Sequence, residues 1–492
     1  MALWTWKDLQ SACDISPDHN RSDAVGAEEP DISGISIDTR SLNSGDLFVA
    51  LSGDPGPRFA SPSDAVVASN VRDGHEFISV AKSAGAAAIL ISKSVSKDIQ
   101  ESIPHLDVDN TLDGLWALGR AGRQRTKGKI IGITGSSGKT TARSWLEVML
   151  TEQGSTHASI GSLNNHWGVP LSLARMPEDS AYGIFEIGMN NPGEIAPLAK
   201  LVNPDVAIIL NVLPAHLGSF ADLDGIRREK LSISLGLRPG GTLILHEDIR
   251  YKDLLCEGLP RKNFSGEKKG LGEVTEDNII DFGLSSTAKI AGQAHYNEEG
   301  AQVKVTIEGR DYHYCIPAGG EHRVLTSLAC LAAVYAIDAD IAQACAVIPQ
   351  LKAPGGRGNL IELGQCLIID DSYNANPISM RYALESLART KGGRKIALLG
   401  EMLELGSNGD QLHQQVLEAC HSLDGVITFG HGFANAADTL GPVHWAHYNS
   451  AAELDLVEFA SGLEEGDTIL VKGSNKVFWL NHFVKSLQAA IA

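Results

Sequence analysis

The chain has 492 residues, of which 43% are hydrophobic and 21% charged, close to the values of ordinary globular proteins. These values exclude wholesale disorder and a fibrous repeat, and at roughly 100–200 residues per domain the length predicts about three domains. The balance of 41 basic against 60 acidic residues gives a formal net charge of −19, which argues against a nucleic-acid partner because a phosphate backbone requires a basic footprint.

Cysteine usage and the apolar segments predict a cytoplasmic protein. The seven cysteines are scattered, odd in number and without a Cys-x-x-Cys pair, which is typical of a reducing compartment rather than of a disulfide framework or zinc site. The first ten residues carry early charges, unlike a signal peptide. The longest apolar runs, such as 86–91, fall far short of the ~20 residues that a bilayer requires. We therefore expect no membrane insertion, and we expect a monomer.

Apolar runs that end in Gly, Asn or Asp alternate with helical segments along the chain. Eight of these runs predict buried strands, at 130–134, 182–187, 206–210, 242–246, 366–370, 396–400, 426–430 and 468–472. Several are continuous β-branched or leucine runs, typical of a sheet covered on both faces. After the first strand, Ala142, Trp145, Leu146, Met149 and Leu150 recur at the spacing of one apolar helix face. This alternation predicts an α/β protein with parallel, doubly wound sheets.

Two seams divide the chain. After an α/β-like opening segment, a helix from Leu112 to Arg125 and a basic stretch precede the first strong strand, so we expect a linker within 104–128. The second seam is the turn-rich stretch 349–359, after which the strand–helix rhythm restarts. The predicted domains are 1–107, 108–350 and 351–492. The polar segment 265–278 predicts a surface loop inside the middle domain.

The clearest motif is a glycine-rich turn, GITGSSGKTT, between strand 130–134 and the helix after it. Glycines let backbone N–H groups point at phosphate oxygens, and a helix N-terminus favours an anion. Lys139 would neutralise the β- and γ-phosphates, and the Thr140 hydroxyl would bind Mg²⁺. The predicted nucleotide-binding residues of this turn are Gly135, Ser136, Ser137, Gly138, Lys139, Thr140 and Thr141.

The strict G-x-x-x-x-G-K-[ST] pattern is not met, because Ile133 stands at its first glycine. A fortuitous glycine-rich turn is the structural alternative. A triphosphate site alone leaves a switch, a motor, a kinase and a ligase open, so the later segments decide.

The turn GITGSSGKTT resembles the phosphate loop of the Mur ligases, the ATP-dependent amide-forming enzymes of bacterial peptidoglycan synthesis. The C-terminal segments 368–384, 398–406 and 469–476 resemble the branch that adds D-alanyl-D-alanine to UDP-N-acetylmuramoyl-tripeptide, and DDSYNANP in the first is the most discriminating piece. Segments 36–53 and 73–77 look like that family's uridine-nucleotide-binding domain.

The resemblance implies three domains. These are an N-terminal α/β UDP-binding domain, a central ATPase domain with a P-loop-type parallel sheet, and a C-terminal Rossmann-like α/β domain that binds the incoming dipeptide. It also implies ATP and Mg²⁺ as cofactors. The γ-phosphoryl group of ATP would convert a carboxylate to an acyl phosphate, which the amine of D-alanyl-D-alanine would attack. Positioning and cations should supply most of the rate.

A metal site is expected at the carboxyl ends of the central strands, where open α/β sheets place ligands. Glu186 ends the strand at 182–187, and a carboxylate there is a natural Mg²⁺ ligand or else an ordinary surface acid. His216 alone reads as a loop residue; the resemblance makes it a second-metal ligand. It also makes Lys230, otherwise part of a solvated helix face, a carbamylated lysine, a modification that needs a neutral amine. The implied metal ligands are Thr140, Glu186, His216 and Lys230.

Further residues are assigned by resemblance. Arg357 lies at the second seam, where a guanidinium would meet phosphate as domains close, and Asp371 matches a ribose-contacting carboxylate. The implied catalytic residues are Lys139, His216, Lys230 and Arg357. The implied substrate-binding residues are Thr39 and Arg40 for UDP, Asn164 and Asn165 for the muramoyl peptide, and Asn374, Asn376 and Lys472 for nucleotide or dipeptide. The asparagine pair before Gly-Val-Pro could equally form a turn.

The chain departs from the family pattern at several positions. Arg323 and Thr326 stand where the family commonly carries asparagines that meet adenine, and Arg323 could stack on a purine face instead. Glu401 replaces an aspartate, and Asn475 stands where arginine is frequent. The alternatives are another Mur-type or folyl-polyglutamate-type amino-acid ligase and, from a different class, a phosphate-loop switch or binding module.

Overall fold

The computed structural model describes residues 2–16, 29–52, 72–92, 102–214, 219–220, 222–249, 274–297, 300–317, 320–364, 366–435 and 437–492. They form three sheets of four, nine and six strands in chain order. Helices cover these sheets, so the α/β fold class is confirmed. None of the described helices combines the length and apolar character needed to cross a membrane.

The first sheet is parallel throughout and has the order β1-β2-β3-β4. Its strands are β1 (Gly34–Ser36), β2 (Asp46–Val49), β3 (Ala88–Ile91) and β4 (His105–Asp107). The described helices of this unit are α1 (Trp6–Ala12) and α2 (Ile78–Ser83). The short buried strands pack against α1 through a core that includes Trp4, Leu9 and Leu47.

Helix α3 (Thr111–Arg125) joins the first sheet to the second. Leu115 and Leu118 pack into the N-terminal core, whereas Leu112 and Trp116 pack into the central one. The stretch 104–128, in which we expected a linker, is therefore mostly a helix shared by two cores. An amphipathic helix flanked by two apolar clusters is fixed by burial on both sides.

The central sheet has the order β13-β12-β11-β10-β9-β8-β5-β7-β6. Its strands are β5 (Lys129–Thr134), β6 (Thr156–Ala158), β7 (Tyr182–Glu186), β8 (Val206–Ile209), β9 (Thr242–His246), β10 (Ile279–Gly283), β11 (Ile290–Asn297), β12 (Gly300–Ile307) and β13 (Arg310–Pro317). The helices are α4 (Lys139–Thr151), α5 (Gly168–Ala174), α6 (Ile195–Val202), α7 (Leu223–Leu231), α8 (Glu321–Ala336) and α9 (Ile341–Val347). Strand β5 lies between β7 and β8, all three parallel, so their carboxyl ends meet at one edge.

Strands β11 to β13 form an antiparallel meander that the search for continuous apolar runs missed. They alternate buried and exposed positions because one face is solvated. Glu308 and Gly309 form the two-residue turn between β12 and β13, both with positive φ, as tight hairpins require.

The third sheet has the order β14-β15-β19-β16-β17-β18 and is parallel except for β14. Its strands are β14 (Asn359–Leu363), β15 (Cys366–Asp371), β16 (Lys395–Gly400), β17 (Gly425–Phe429), β18 (His444–Tyr448) and β19 (Thr468–Lys472). The helices are α10 (Pro377–Ala388), α11 (Gly409–Glu418), α12 (His431–Ala434), α13 (Leu456–Ser461) and α14 (Phe483–Ile491). Apolar clusters lie on both of its faces.

All eight predicted strands are present, with bounds that agree to within one residue. The predicted helix 112–125 is also confirmed. Most of the predicted loop 265–278 lies outside the described residues. The six described cysteines are free thiols.

A half-buried histidine makes stability depend on pH. Nε2 of His157 in β6 donates to the Ser172 carbonyl oxygen at 2.8 Å, and burial lowers the pKa of His157 from 6.5 to about 4. The folded state therefore binds fewer protons than the unfolded state. The stabilisation that His157 contributes is complete above pH 6.5 and is lost as the pH falls toward 4.

We expect acid to remove roughly 3 kcal/mol of stability through this group, at about 1.4 kcal/mol per pKa unit. Urea unfolding at pH 7 and pH 4.5 measures the loss. The control variant His157→Gln keeps a donor but cannot titrate, so its loss should be smaller. An equal loss in both proteins would show that other groups are responsible.

Candidate active site

A cleft of about 1300 Å³ lies between the central and C-terminal sheets. Its central wall is built where β5, β7, β8 and β9 end, and its opposite wall includes residues that follow β15 and β19. Ligands of open α/β sheets bind at such strand ends. The predicted residues that line it are Ser136, Ser137, Gly138, Lys139, Thr140, Thr141, Asn164, Asn165, Glu186, Arg357, Asp371, Asn374, Asn376 and Lys472. Gly135 and Lys230 are not among the lining residues.

The glycine-rich turn connects β5 directly to α4. Gly138 is the N-cap of α4 and has φ +80°, a left-handed conformation that favours glycine. Lys139 Nζ lies back over the turn and donates to the Gly135 carbonyl oxygen at 2.8 Å. The first N–H groups of a helix have no intrahelical acceptor. The turn therefore combines backbone donors, a helix N-terminus and an ammonium group, which suits a phosphate chain.

A carboxylate is held beside the turn by two side chains. Thr140 Oγ1 donates to Glu186 Oε2 at 2.8 Å, and Asn164 Nδ2 donates to Glu186 Oε1 at 2.7 Å. Glu186 is 2% exposed. Glu186 ends β7, and the parallel pairing of β7 with β5 places it beside the turn that follows β5. The structure thus brings together three residues that are distant in sequence.

Two lysines near the phosphate turn have lowered pKa values. Lys230, in the last turn of α7, is 2% exposed. Burial lowers its pKa well below the usual range, Lys139 lowers it further, and Glu229 partly opposes the shift. The pKa of Lys139 is also lowered, first by loss of water around it, with Glu186 opposing and Arg357 adding to the shift. Lys139 thus disfavours the charged form of Lys230, and Arg357 disfavours that of Lys139, so an anion beside these groups would be stabilised.

The donor set suits Mg²⁺ completed by ligand oxygens. Thr140 and Glu186 supply a hydroxyl and a carboxylate oxygen at the phosphate turn, the hard oxygen donors that Mg²⁺ prefers. Among the described residues, no group of three or more His, Cys, Asp and Glu could hold a metal ion. Mg²⁺ bound through few protein groups, substrate phosphates and water matches this arrangement. The predicted ligand His216 lies outside the described residues.

The C-terminal wall carries an ion pair at two neighbouring strand ends. Lys472 Nζ donates to Asp371 Oδ2 at 2.7 Å and to the Asn374 carbonyl oxygen at 3.1 Å. Burial raises the pKa of Asp371, and Lys472 and Arg323 oppose that shift. Lys472 is 2% exposed, so it fixes the loop after β15 and leaves little surface for a ligand.

Two of the predicted substrate-binding asparagines accept backbone N–H groups at or just before the start of a helix. Asn165 Oδ1 accepts the N–H groups of Trp167 and Gly168 at 3.2 and 3.0 Å, just before α5. Asn376 is the N-cap of α10, where its Oδ1 accepts the Ser379 N–H at 2.9 Å. Both side chains line the cleft, but their oxygens already have backbone partners. Their substrate roles stay predictions.

Arg357 lies on the C-terminal side of the cleft above an aromatic ring. Its Cζ is 4.1 Å from the ring centroid of Tyr373, a cation–π distance. The Arg357 Nη2 donates to Ser162 Oγ at 3.5 Å. The guanidinium is thus aimed across the cleft at the central unit.

Arg323 lines the cleft, and its proposed stacking on a purine stays a prediction. Its Nη2 donates to the Gly358 carbonyl oxygen at 2.6 Å, and the residue is buried at the start of α8. It links the central unit to the segment after the second seam. Thr326 Oγ1 donates to the His322 carbonyl oxygen at 2.8 Å within the same helix.

Two other residues that depart from the family pattern, Glu401 and Asn475, lie in the C-terminal unit. Glu401 Oε2 accepts the N–H of Gly432 at 3.0 Å and so holds α12 in the C-terminal unit. Asn475 lines the cleft.

The residues predicted for UDP lie away from this cleft. Arg40 is exposed and forms an ion pair with Asp38 at 2.6 Å, just beyond β1. Thr39 lies beside it in the same turn. None of the described residues that line the cleft belongs to the N-terminal sheet. The assignment of Thr39 and Arg40 to UDP stays a prediction.

Three residues at the site were missed from the sequence. Asn211 follows β8 and braces the phosphate turn, because its Oδ1 accepts the Ser137 N–H at 3.0 Å. Being the first polar residue after a buried strand was its available signal. Ser159 Oγ accepts the Glu186 N–H at 3.3 Å. Tyr373 Oη donates to Ser162 Oγ at 2.6 Å, a contact no local pattern indicates.

The sheet order and the glycine-rich turn define a phosphate-loop α/β protein whose site is completed by a second α/β unit. Residues 133–334 match the family model of the Mur ligase middle domain, and residues 356–475 match that of the Mur ligase, glutamate ligase domain. The UDP-N-acetylmuramoyl-tripeptide--D-alanyl-D-alanine ligase of Bacillus subtilis (strain 168) is 33% identical over 470 residues, 94% of each chain. The ligase of the same name from Escherichia coli (strain K12) is 30% identical over 460 residues, 93% of this chain and 94% of its own.

Solved structures give the same result. Crystal structure I of MurF from Acinetobacter baumannii has a TM-score of 0.80 and 27% identity, covering 99% of this chain and 100% of its own. MurF ligase from Thermotoga maritima in complex with ADP has a TM-score of 0.73 and 25% identity, covering 93% and 97%. The chain belongs to the Mur ligase family, in its MurF branch, and the resemblance drawn from the sequence is confirmed.

Proposed function

We propose that this chain joins D-alanyl-D-alanine to UDP-N-acetylmuramoyl-tripeptide at the expense of ATP, with the residues of the described cleft in the roles given below. The observation that carries the proposal is the contact of Thr140 and Asn164 with Glu186 beside the phosphate turn. It supports a triphosphate and Mg²⁺ site at the strand ends, facing a second unit that supplies Arg357.

The central unit would hold the triphosphate. Backbone N–H groups at the start of α4 and the ammonium of Lys139 neutralise phosphate oxygens, and Thr140 and Glu186 offer oxygen ligands to Mg²⁺. When bound, Mg²⁺ would neutralise negative charge that develops during phosphoryl transfer. Asn164 would fix the carboxylate of Glu186, so its proposed role shifts from substrate contact toward positioning.

The reaction brings two anions together, a peptide carboxylate and a triphosphate. Lys139 and Arg357 line the cleft where they would meet, and Lys230 lies close enough to Lys139 for that residue to lower its pKa. Fixed cations such as Lys139 and Arg357 stabilise the transferring phosphoryl group because little reorganisation is needed. The lowered pKa of Lys230 also increases its neutral fraction, the form that adds CO₂ to give a carbamate.

The domain roles complete the proposal. Residues 1–107 would bind the UDP end of the acceptor through Thr39 and Arg40, 108–350 would bind ATP, and 351–492 would bind the dipeptide. Asp371, Asn374 and Asn376 lie where the third sheet meets the cleft and would contact nucleotide or dipeptide. We propose that the chain acts as a monomer in the bacterial cytoplasm, where ATP and UDP-linked precursors are present.

Phosphate release from the purified chain tests the proposal. Release should require UDP-N-acetylmuramoyl-tripeptide, D-alanyl-D-alanine and Mg-ATP together, because the acyl phosphate is shielded from water until the amine arrives. Mass spectrometry of the product should show the tripeptide extended by one dipeptide.

Substrate omission separates the alternatives. A single amino acid used in place of the dipeptide would indicate another amide ligase of the family. Equal phosphate release without any acceptor amine would contradict ligation. ATP binding without a covalent product would favour a nucleotide switch.

A further inference from the structure

A hydrogen bond crosses the cleft between the central and C-terminal units. Tyr373 Oη, two residues after β15 ends, donates to Ser162 Oγ at 2.6 Å. Ser162 lies in the loop between β6 and α5. Arg357 Nη2 reaches the same hydroxyl oxygen at 3.5 Å. One serine of the central unit therefore meets two residues of the C-terminal unit.

The ring of Tyr373 is fixed from several directions. Its backbone N–H donates to the Gly356 carbonyl oxygen at 2.9 Å, and Trp479 packs against it edge-on at 5.5 Å between ring centroids. A Cβ on Gly356 would lie 2.7 Å from Trp479 and 3.0 Å from the Cβ of Tyr373. The backbone at this position therefore lies too close to both residues for a larger side chain. The ring cannot shift without disturbing this packing.

The fixed ring in turn places Arg357. The guanidinium lies 4.1 Å from the ring centroid of Tyr373, and it is close enough to Lys139 to lower that residue's pKa. A cation that rests on an aromatic face loses less freedom when it meets an anion.

The other end of the hydrogen bond is tied to the carboxylate site. Ser162 precedes Asn164 by two residues, and Asn164 holds Glu186 at 2.7 Å. The bond from Tyr373 to Ser162 thus connects Arg357 to the loop that orients Glu186.

We infer that Tyr373 is a positioning residue for the reaction: its ring places Arg357 and its hydroxyl fastens the C-terminal unit to the loop that holds Asn164. The inference rests on the proposed ligase function. It predicts that the hydroxyl matters after ATP has bound, because the phosphate turn belongs wholly to the central unit.

The test compares Tyr373→Phe, Ser162→Ala and the double variant in the complete ligase assay. Each single variant loses the same hydrogen bond, so kcat should fall about three- to tenfold in each. The KM for ATP should change less than about twofold, because ground-state binding of ATP is retained. The kcat of the double variant should be no lower than that of the less active single variant, since the bond can be lost only once.

The matched control is Tyr335→Phe. Tyr335 also donates one hydrogen bond from its hydroxyl, to Glu308 at 2.6 Å, but on the outer surface of the central unit. Its kcat should equal that of the wild type. Tyr373→Leu, which also removes the ring beneath Arg357, should lower kcat further than Tyr373→Phe.

The outcomes are separable from those of the proposed function. If the wild type makes product while Tyr373→Phe keeps full kcat, or if the two single effects add in the double variant, the inference is wrong and the ligase function stands. If the wild type makes no product with all three substrates, the proposed function itself fails.

Discussion

Replacing Lys139 with alanine should lower the rate of product formation by at least about 100-fold, the usual cost of removing one preorganised charge from a transition state. Its ammonium donates to the Gly135 carbonyl oxygen at the centre of the phosphate turn. The KM for ATP should rise as well, because phosphate charge would remain unneutralised before the transfer. Steady-state phosphate release and a direct ATP-binding titration measure the two effects.

The matched control is Lys127→Ala, which removes an exposed lysine just before β5. This variant should retain wild-type kinetics and rule out a general effect of net charge. Thermal unfolding of Lys139→Ala should stay close to that of the wild type, since its side chain is only half-buried. Wild-type turnover by Lys139→Ala would place the triphosphate elsewhere.

Local chemistry made the central site predictable. A glycine-rich turn between a buried strand and an amphipathic helix has one common geometry, so Gly138, Lys139 and Thr140 could be assigned before any contact was known. Glu186 followed from its position at the end of a parallel strand, since neighbouring strands of such a sheet end at one edge. In both cases the sequence pattern that supports the assignment spans no more than about twenty residues.

Contacts between units could not be predicted in the same way. Tyr373 meets Ser162 across 211 positions of sequence, and Arg323 meets Gly358 through a hinge segment. These pairs depend on how two sheets are oriented, which no periodicity encodes. The hydrogen bond from Arg323 Nη2 to the Gly358 carbonyl oxygen fixes one edge of the guanidinium, and the sequence alone did not indicate it.

Polar residue type also proved ambiguous. Asn165 and Asn376 were interpreted as substrate contacts, yet the side-chain oxygen of Asn165 accepts N–H groups in the turn before α5 and that of Asn376 caps α10. Asparagine serves turns, caps and ligands through one amide group. Only the partners in the folded structure separate these roles.

The second large effect is expected at Lys230, where activity and stability should change in opposite directions. Replacing it with methionine, a neutral side chain of similar length, should lower the ligase rate by at least about 100-fold if the amine or its carbamate faces the transferring group. The same change should raise the free energy of unfolding at pH 7, because burial and Lys139 disfavour the charged form of Lys230 in the folded state.

The pH dependence of stability that Lys230 contributes follows from the direction of its pKa shift. Burial and the nearby Lys139 hold the pKa of Lys230 well below its ordinary value of 10.5, so between the two values the unfolded state binds more protons than the folded state. Stability contributed by this group therefore rises as the pH climbs from the folded pKa toward 10.5. The methionine variant should lack that rise.

Urea unfolding in bicarbonate-free buffer at pH 7 and pH 9 measures the stability difference. Addition of ¹³C-bicarbonate should give a carbamate carbon resonance in the wild type that is absent from Lys230→Met. Lys230→Arg keeps a cation that cannot form a carbamate, so it should be as inactive as the methionine variant and less stable. If the arginine variant instead retained wild-type turnover, positive charge alone would suffice at this position, and a modified lysine would have no part in the reaction.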